Sequence, residues 1–482
     1  VSEVLTNTTT DPISVVYRFT LTANGCSNTQ DVTVVVNPTP LLTSSQTPTA
    51  ICSGSTFSYS ATSATAGTTY SWSRAVITGI SNALGSGSSS SVTETLINTT
   101  ANPISVVYRF TLTANGCSNT QDVTVIVNPK PLLTSSSTPA AICNNGTFTY
   151  QSTSATSGVT FSWSRAVVVG ISNASGSDNS ASISEVLTNT TASPISVVYQ
   201  VTLLANGCSN TQNVTVVVNP TPLLTSSVSP PTICSGTSFS YTATSSTSGV
   251  SFSWSRALVT GISNAANSGS TSSISEILIN TTAAPIDVTY VISLSANSCS
   301  NPSTYSVVVR VNPKPTLSSG LTPTAICSAG TFSYTATSAT VGTTFSWSRA
   351  VISGISNLSG SGSSASISET LTNTSTAPVS VVYLVTLTAN GCSNTQSVTV
   401  VVNPTPVLTS SQTPAAICNN GTFSYTATSA TSGVSFGWTR AVVAGISNGS
   451  GSGSSAAVSE VLTNTTTDPI SVVYRFTLTA NG

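Results

Sequence analysis

ISVVYRFTLTANGCSNTQDVTVIVNP, residues 104–129, is the stretch that decides the fold. Ile104, Val106, Tyr108, Phe110 and Leu112 fall on one face of an extended segment. Ser105, Arg109, Thr111 and Thr113 fall on the other, the alternation of a half-buried strand. Ala114-Asn115-Gly116 carries a turn signal, and Val123, Val125 and Val127 then alternate again, so the stretch predicts a β-hairpin. Pro129 ends it, because proline has a fixed φ and no N–H to give to a ladder.

Upstream, Thr56-Phe57-Ser58-Tyr59-Ser60 and Thr69-Tyr70-Ser71-Trp72 alternate in the same way, and no helical period occurs anywhere. Gly85-Ser86-Gly87-Ser88-Ser89-Ser90-Ser91 has a linker's composition, but its place inside the pattern predicts a surface loop leading into a strand at Val92–Leu96. Short strands set apart by Gly, Ser, Asn and Pro predict an all-β, immunoglobulin-like β-sandwich. Its core is expected to contain Trp72 and Tyr108, packed between the sheets.

The pattern recurs. Trp72, Trp163, Trp254, Trp347 and Trp438 are separated by 91, 91, 93 and 91 residues, and Tyr108 returns as Tyr199, Tyr290 and Tyr383. These are the expected core aromatics. Residues 1–25 reappear letter for letter at 458–482, so the sequence is expected to be a window on a longer array. The Asn-Pro tags place boundaries at 38/39, 129/130, 220/221, 313/314 and 404/405. Four whole repeats result (39–129, 130–220, 221–313 and 314–404), with partial ones at 1–38 and 405–482, strung head to tail.

Charged residues make up only 5% of the 482, with 11 Lys+Arg against 12 Asp+Glu and no His. No phosphate-neutralising patch can be assembled from so few cations, which argues against nucleic acid. No apolar run approaches the roughly 20 residues of a membrane span, so no membrane contact is expected within these residues. Disorder is disfavoured too, since every repeat carries β-branched and aromatic runs able to bury a core.

Ala50-Ile51-Cys52-Ser53-Gly54, Ser71-Trp72-Ser73-Arg74, Leu96-Ile97-Asn98-Thr99-Thr100, Val107-Tyr108, Ala114-Asn115-Gly116-Cys117 and Val127-Asn128-Pro129 together resemble the PKD-like repeats of Bacteroidota surface proteins. The resemblance covers the whole chain. It implies an immunoglobulin-like sandwich within a large secreted or surface-anchored protein, used as a stalk or an adhesin. A fold analogy supplies no mechanism by itself.

Ten cysteines stand in fixed phase: Cys26, Cys52, Cys117, Cys143, Cys208, Cys234, Cys299, Cys327, Cys392 and Cys418. Their spacing, with no His available, does not suit zinc, whereas disulfides in an oxidising compartment do suit it. Bridged Cα atoms must lie within about 7 Å. Cys26 with Cys52 would join residues in different repeats across a nearly straight chain, which excludes that pairing. Two remain, besides free thiols. Cys52–Cys117 would close a loop within one repeat; Cys52–Cys208, Cys143–Cys299 and Cys234–Cys392 would staple neighbours into a stiff rod. The start of the first strand decides between them. A first strand beginning at Ala50-Ile51-Cys52 is expected to favour the bridge within a repeat.

Arg74, Arg165, Arg256, Arg349 and Arg440 each follow a Trp by two positions, and Glu3, Glu94, Glu185, Glu276, Glu369 and Glu460 recur later. Cross-strand ion pairs (Arg74 with Glu94, Arg165 with Glu185, Arg256 with Glu276 and Arg349 with Glu369), or an Arg packed over an aromatic face, are expected. A single fixed Glu per repeat, with no His and no paired acid, does not support glycosidic or general acid–base chemistry. Asp11, Asp31, Asp122, Asp178, Asp287 and Asp468 read as isolated, so no calcium loop is formed. A Lys–Asn crosslink would need a Lys in every repeat, and only Lys130 and Lys314 exist. The triplets beginning at Asn7, Asn98, Asn189, Asn280, Asn373 and Asn464 are formal glycan acceptors, but the prolines that follow favour a turn.

No cofactor or catalysis is therefore expected. The leading expectation is an extracellular or cell-surface stalk, fibre or filament whose partners are neighbouring repeats and, through lightly charged sheet edges, other copies of itself. The alternative is a multivalent adhesin binding glycans, cells or surfaces through repeated Ser/Thr/Asn loops.

Overall fold

The computed structural model describes residues 1–480. In chain order the first strands are β1 (Ile13–Ala23), β2 (Cys26–Val36), β3 (Ile51–Cys52), β4 (Thr56–Ser60), β5 (Thr69–Arg74), β6 (Gly85–Gly87), β7 (Ser91–Thr95), β8 (Ile104–Ala114) and β9 (Cys117–Asn128). The described residues contain no helix.

The hairpin β8–β9 anchors its repeat. A two-residue turn at Asn115 (φ 50°) and Gly116 (φ 81°) supplies the two left-handed residues that match strand twist. It fixes a register running from Ala114 opposite Cys117 to Ile104 opposite Val127. One sheet has the order β3-β9-β8-β5-β6, and β4 and β7 pair as a second sheet. Between them lie Phe57, Val92, Val106, Tyr108, Phe110, Leu112, Val123, Val125 and Val127, all buried. Tyr108 is fully buried, whereas Trp72 lies at the margin, only partly covered, with its ring edge-on to Tyr108 at 5.6 Å.

Residues 85–87 form a strand rather than part of a loop. β6 pairs with β5 through Trp72 opposite Gly87 and Arg74 opposite Gly85. A Cβ at Gly87 would sit 2.6 Å from Trp72 Nε1, and one at Gly85 would sit 2.6 Å from Glu94 Oε1. The glycines thus let the backbone lie directly on the indole and the carboxylate.

Residues 39–50 do more than link repeats. Asn119 Nδ2 donates to Pro40 O, the Leu42 amide donates to Gln121 Oε1, and the Thr124 amide donates to Gln46 O. The segment is a strap laid along the outer edge of β9, ending in the parallel pair β3–β9.

The same order returns between Ile142 and Asn219, between Ile233 and Asn312, and between Ile326 and Asn403. In the second of these the last strand is split into Cys299–Ser300 and Tyr305–Asn312, around Asn301-Pro302. The stretch from Asn301 to Val307 is two residues longer than its counterpart from Asn210 to Val214, which accounts for the single 93-residue step. β1 and β2 form the hairpin of an earlier copy, and Gly421–Thr426 to Tyr474–Ala480 form strands of a later one. The residues group into two compact units: residues 1–223 with 245–250 and 295–301, and residues 224–244 with 251–294 and 302 onward.

Candidate functional site

Two sets of residues recur in every whole repeat, one at its end and one inside it. The end is built from β3, β9 and the hairpin turn of the following copy. Cys52 lies opposite Asn128, the last residue of β9, while Cys117 is the first. At ~3.3 Å per strand residue the two are about 36 Å apart, so no bridge can close within the repeat. The first strand does begin at Ile51-Cys52. Because it runs parallel to β9, however, it carries Cys52 away from the hairpin turn, opposite to the expectation that tied such a start to a bridge within a repeat.

The bonds formed are Cys52–Cys208, Cys143–Cys299 and Cys234–Cys392, with Cα–Cα distances of 5.6, 5.5 and 5.6 Å. Cys208, Cys299 and Cys392 are buried in the turn region. Cys26, Cys117, Cys327 and Cys418 are thiols here. Beside each bridge the Asn of the Asn-Pro tag reaches the next turn: Asn128 Nδ2 donates to Asn206 O at 3.1 Å, Asn219 to Asn297 O at 3.2 Å and Asn312 to Asn390 O at 2.8 Å. Asn37 makes the same bond to Asn115 O at 2.8 Å. Pro129 follows at once and directs the chain into the next strap.

Inside the repeat, Arg74 is almost wholly buried and grips Glu94 with two bonds, Nε to Oε2 at 2.8 Å and Nη2 to Oε1 at 3.1 Å. Its remaining donors go to Ala83 O and Ala75 O, and the Tyr108 hydroxyl donates to Glu94 Oε2. Arg165–Glu185–Tyr199, Arg256–Glu276–Tyr290, Arg349–Glu369–Tyr383 and Arg440–Glu460–Tyr474 repeat the arrangement. Burial pushes the Glu94 carboxyl up, but the Arg74 and Tyr108 donors outweigh it and hold it below its usual value. Burial, and then the bond to the carboxylate, push Tyr108 well above the usual phenol range. Such a carboxylate has its lone pairs committed and no second acid beside it, which suits a structural clamp.

Other expected features fall elsewhere. Asn98 is buried. Its Nδ2 hydrogens go to Asn102 O and Val127 O, and its Oδ1 accepts from Thr100. Asn189, Asn280 and Asn373 do the same. The amide a glycan would need is therefore spent on tying the loop to the last strand. Asp31 and Asp122 are not isolated: Arg18 and Arg109 pair with them at 2.9 and 3.0 Å across their hairpins, and Asp287 lies 3.8 Å from Arg310. Among the described residues no three His, Cys, Asp or Glu side chains gather as a metal site.

The PKD-like domain matches residues 49–131, 140–222, 231–315 and 324–406, well over half of the chain. The chain belongs to the PKD-like domain family. Each PKD-like match runs from the first cysteine strand through the last strand into the Asn-Pro tag. No curated protein matches the chain as a sequence. Among solved structures it is similar to the insect immune protein hemolin, at 9% identity and TM-score 0.23 over 76% of this chain and 100% of that one. It is also similar to the I67–I69 fragment of titin, at 14% and 0.30 over 57% and 98%. A third is Drosophila N-cadherin EC1-4, at 9% and 0.22 over 74% and 99%. No functional argument rests on likenesses at this level. Among the described residues no helix is long and apolar enough to cross a membrane.

Proposed function

We propose that these PKD-like repeats, bounded at 38/39, 129/130, 220/221, 313/314 and 404/405, are the non-catalytic shaft of an extracellular stalk or filament. The observation that carries this reading is the set of three bridges that each join a repeat to the next, Cys52–Cys208, Cys143–Cys299 and Cys234–Cys392. Disulfides persist in oxidising compartments, and a domain string that served only as a flexible tether would gain nothing from covalent staples. The Asn–turn bonds and the Asn-Pro tags act in the same sense, each restricting rotation between neighbours. Among the described residues the outer edges of the two-stranded β4–β7 sheet carry no further strand and little charge, so lateral pairing of shafts into bundles accords with the same reading.

A second reading is a multivalent adhesin. It is favoured by the outer face of β4 and β7, where Thr56, Ser58, Ser60, Ser91, Thr93 and Thr95 are all exposed hydroxyls. A polar hollow of about 350 Å³ lined by Trp163, Asp178, Asn179 and Gln200 adds to it. Repetition would multiply weak contacts. Electron microscopy of the oxidised chain is expected to show straight, uniform particles that do not bind a glycan array. Flexible strings, or saturable glycan binding, would turn the reading to the adhesin.

A further inference from the structure

The position of each bridge within its repeats determines how tension crosses the array. Starting at Thr39, a covalent path follows the strap to Cys52, crosses to Cys208 and continues along the last strand of the next repeat to Asn219. It then enters the strap of residues 221–234, crosses from Cys234 to Cys392 and runs along Cys392–Asn403. A second path takes the strap of residues 130–143, crosses from Cys143 to Cys299 and leaves through Tyr305–Asn312. Between Cys143 and Asn312 the two paths alternate, one in the strap and the other in the last strand of each repeat.

Within repeat 130–220 the two lie side by side. Ile142 and Cys143 pair in parallel with Val218 and Asn219. The Thr215 amide donates to Ser137 O at 2.9 Å, the Leu133 amide to Gln212 Oε1 at 2.7 Å, and Asn210 Nδ2 to Pro131 O at 2.9 Å. Everything else in the repeat, residues 144–207 with their aromatic core and the Arg165–Glu185 clamp, is a loop fastened at Cys143 and Cys208 and lies off both paths. The strap from Pro131 to Cys143 covers the same span as Asn210 to Asn219 with about three more residues, a slack of roughly 10 Å at ~3.6 Å per residue.

We infer that the array is an inextensible load-bearing element: two covalent rails built from straps, bridges and last strands carry tension, and the sandwich cores carry none. An unbridged string of sandwiches lengthens each time a domain unfolds. Here unfolding a core releases only strap slack. The inference deepens the shaft reading and rests on it solely for the oxidising compartment that keeps the bridges closed.

Force-extension measurement on the full oxidised chain, held through handles fused at its two ends, tests this. The shortest covalent path between the ends has about 170 residues, so the chain should stop lengthening on the order of 600 Å even after every repeat has unfolded. Dithiothreitol added under load should then release about 310 further residues, on the order of 1,100 Å. Cys143→Ser with Cys299→Ser should leave the oxidised limit unchanged, because the shortest path does not use that bridge. Cys52→Ser with Cys208→Ser should lengthen it by about 130 residues, because the shortest remaining path runs to Cys143, crosses to Cys299, turns back to Cys234 and crosses to Cys392. These readouts are contour lengths and hold whether or not a variant keeps its native core. Stepwise gains of about 90 residues, roughly 320 Å, in the oxidised chain would overturn the rails. So would equal lengthening of the two double variants. Long particles by microscopy combined with full extension under load would sink the rails and spare the shaft.

Discussion

Repeats 130–220 and 221–313 make the same junctions and the same clamp from partly different residues. The turn of the first is Asn206-Gly207; that of the second is Asn297-Ser298, with Ser298 at φ 62°. The first has an unbroken last strand, Cys208–Asn219, where the second is interrupted. Gly176 lies on the clamp of the first, and Asn267 replaces it in the second, donating to Glu276 Oε1 at 2.9 Å. What does not differ is each partnered polar group of the interior: the Arg–Glu–Tyr clamps, the looped Asn189 and Asn280, and the bridged cysteines; the buried Ser152, whose hydroxyl has no partner, is Ala243 in the second. The pair of repeats shows that the sequence drifts where backbone meets water. It does not drift where a lost partner would strand a buried donor or charge.

The comparison breaks most sharply at the clamp. Arg165→Ala leaves the Glu185 carboxylate with Tyr199 alone and is expected to cost about 3–5 kcal/mol, the usual penalty for orphaning a buried charge. Arg256→Ala should cost about 1 kcal/mol less, because Asn267 still donates to Glu276. Amide hydrogen exchange on the full chain, read repeat by repeat, checks both. Equal losses of protection would mean that Asn267 contributes nothing. A shift in pH should separate the same two repeats. Burial pushes Glu276 up, but Arg256, Tyr290 and Asn267 together bring it down to about 2. Glu185 is lowered chiefly by Arg165, against burial, and lacks the Asn donor. A carboxyl depressed on folding stabilises above its unfolded value of about 4.3 and loses that contribution as pH falls through the folded value. Repeat 130–220 should therefore lose protection at a higher pH than repeat 221–313 on descent from pH 5 to pH 2. Simultaneous loss would refute the assignment.

Much of this was legible in the residues. Alternation around Tyr108 and the two-residue turn give the hairpin, and that turn also sets the register. Arg109 opposite Asp122 follows from it directly, which makes reading Asp122 as isolated an avoidable error. The recurrence of Arg and Glu in phase with Trp marked a pair, although nothing in the spacing placed the Tyr108 hydroxyl on the same carboxylate. The strap was hidden because its holds are side chains of β9, Asn119 and Gln121, acting on a Pro- and Ser-rich segment with no strand period. β6 was hidden for a related reason. Glycine and serine have poor strand propensity, and the indole and carboxylate beneath Gly85 and Gly87, which leave little room for a Cβ there, are not visible in the sequence; Asn267 and Asp178 hold the matching positions in other repeats. The direction of β3 was invisible too, since two residues carry no signal for parallel or antiparallel pairing.

A smaller effect is expected from Asn267→Gly, which restores the residue of the other repeats at that position and removes one charge-assisted donor. It should destabilise repeat 221–313 by about 0.5–1.5 kcal/mol and move its acid transition up towards that of repeat 130–220. A variant whose acid transition stays in place would show that Arg256 and Tyr290 alone set the Glu276 carboxyl.

The turn offers the finest test. Ser298 is held at φ 62°, a left-handed conformation that costs a residue with a Cβ roughly 1 kcal/mol and costs glycine almost nothing. Ser298→Gly removes that strain but also frees the unfolded chain, so the net gain should be only about 0.5 kcal/mol. The reciprocal change in the neighbour, Gly207→Ser at φ 74°, should cost a similar amount. Both turns accept an Asn side chain from the preceding repeat, through Asn297 O and Asn206 O, and both lie beside a bridged cysteine. If the junction holds the turn, the two exchanges should appear as opposite shifts in protection of the amides of Cys299 and Cys208, with the rest of each repeat unmoved. Shifts spread through whole repeats would instead mean that the hairpin turn governs the global stability of its sandwich.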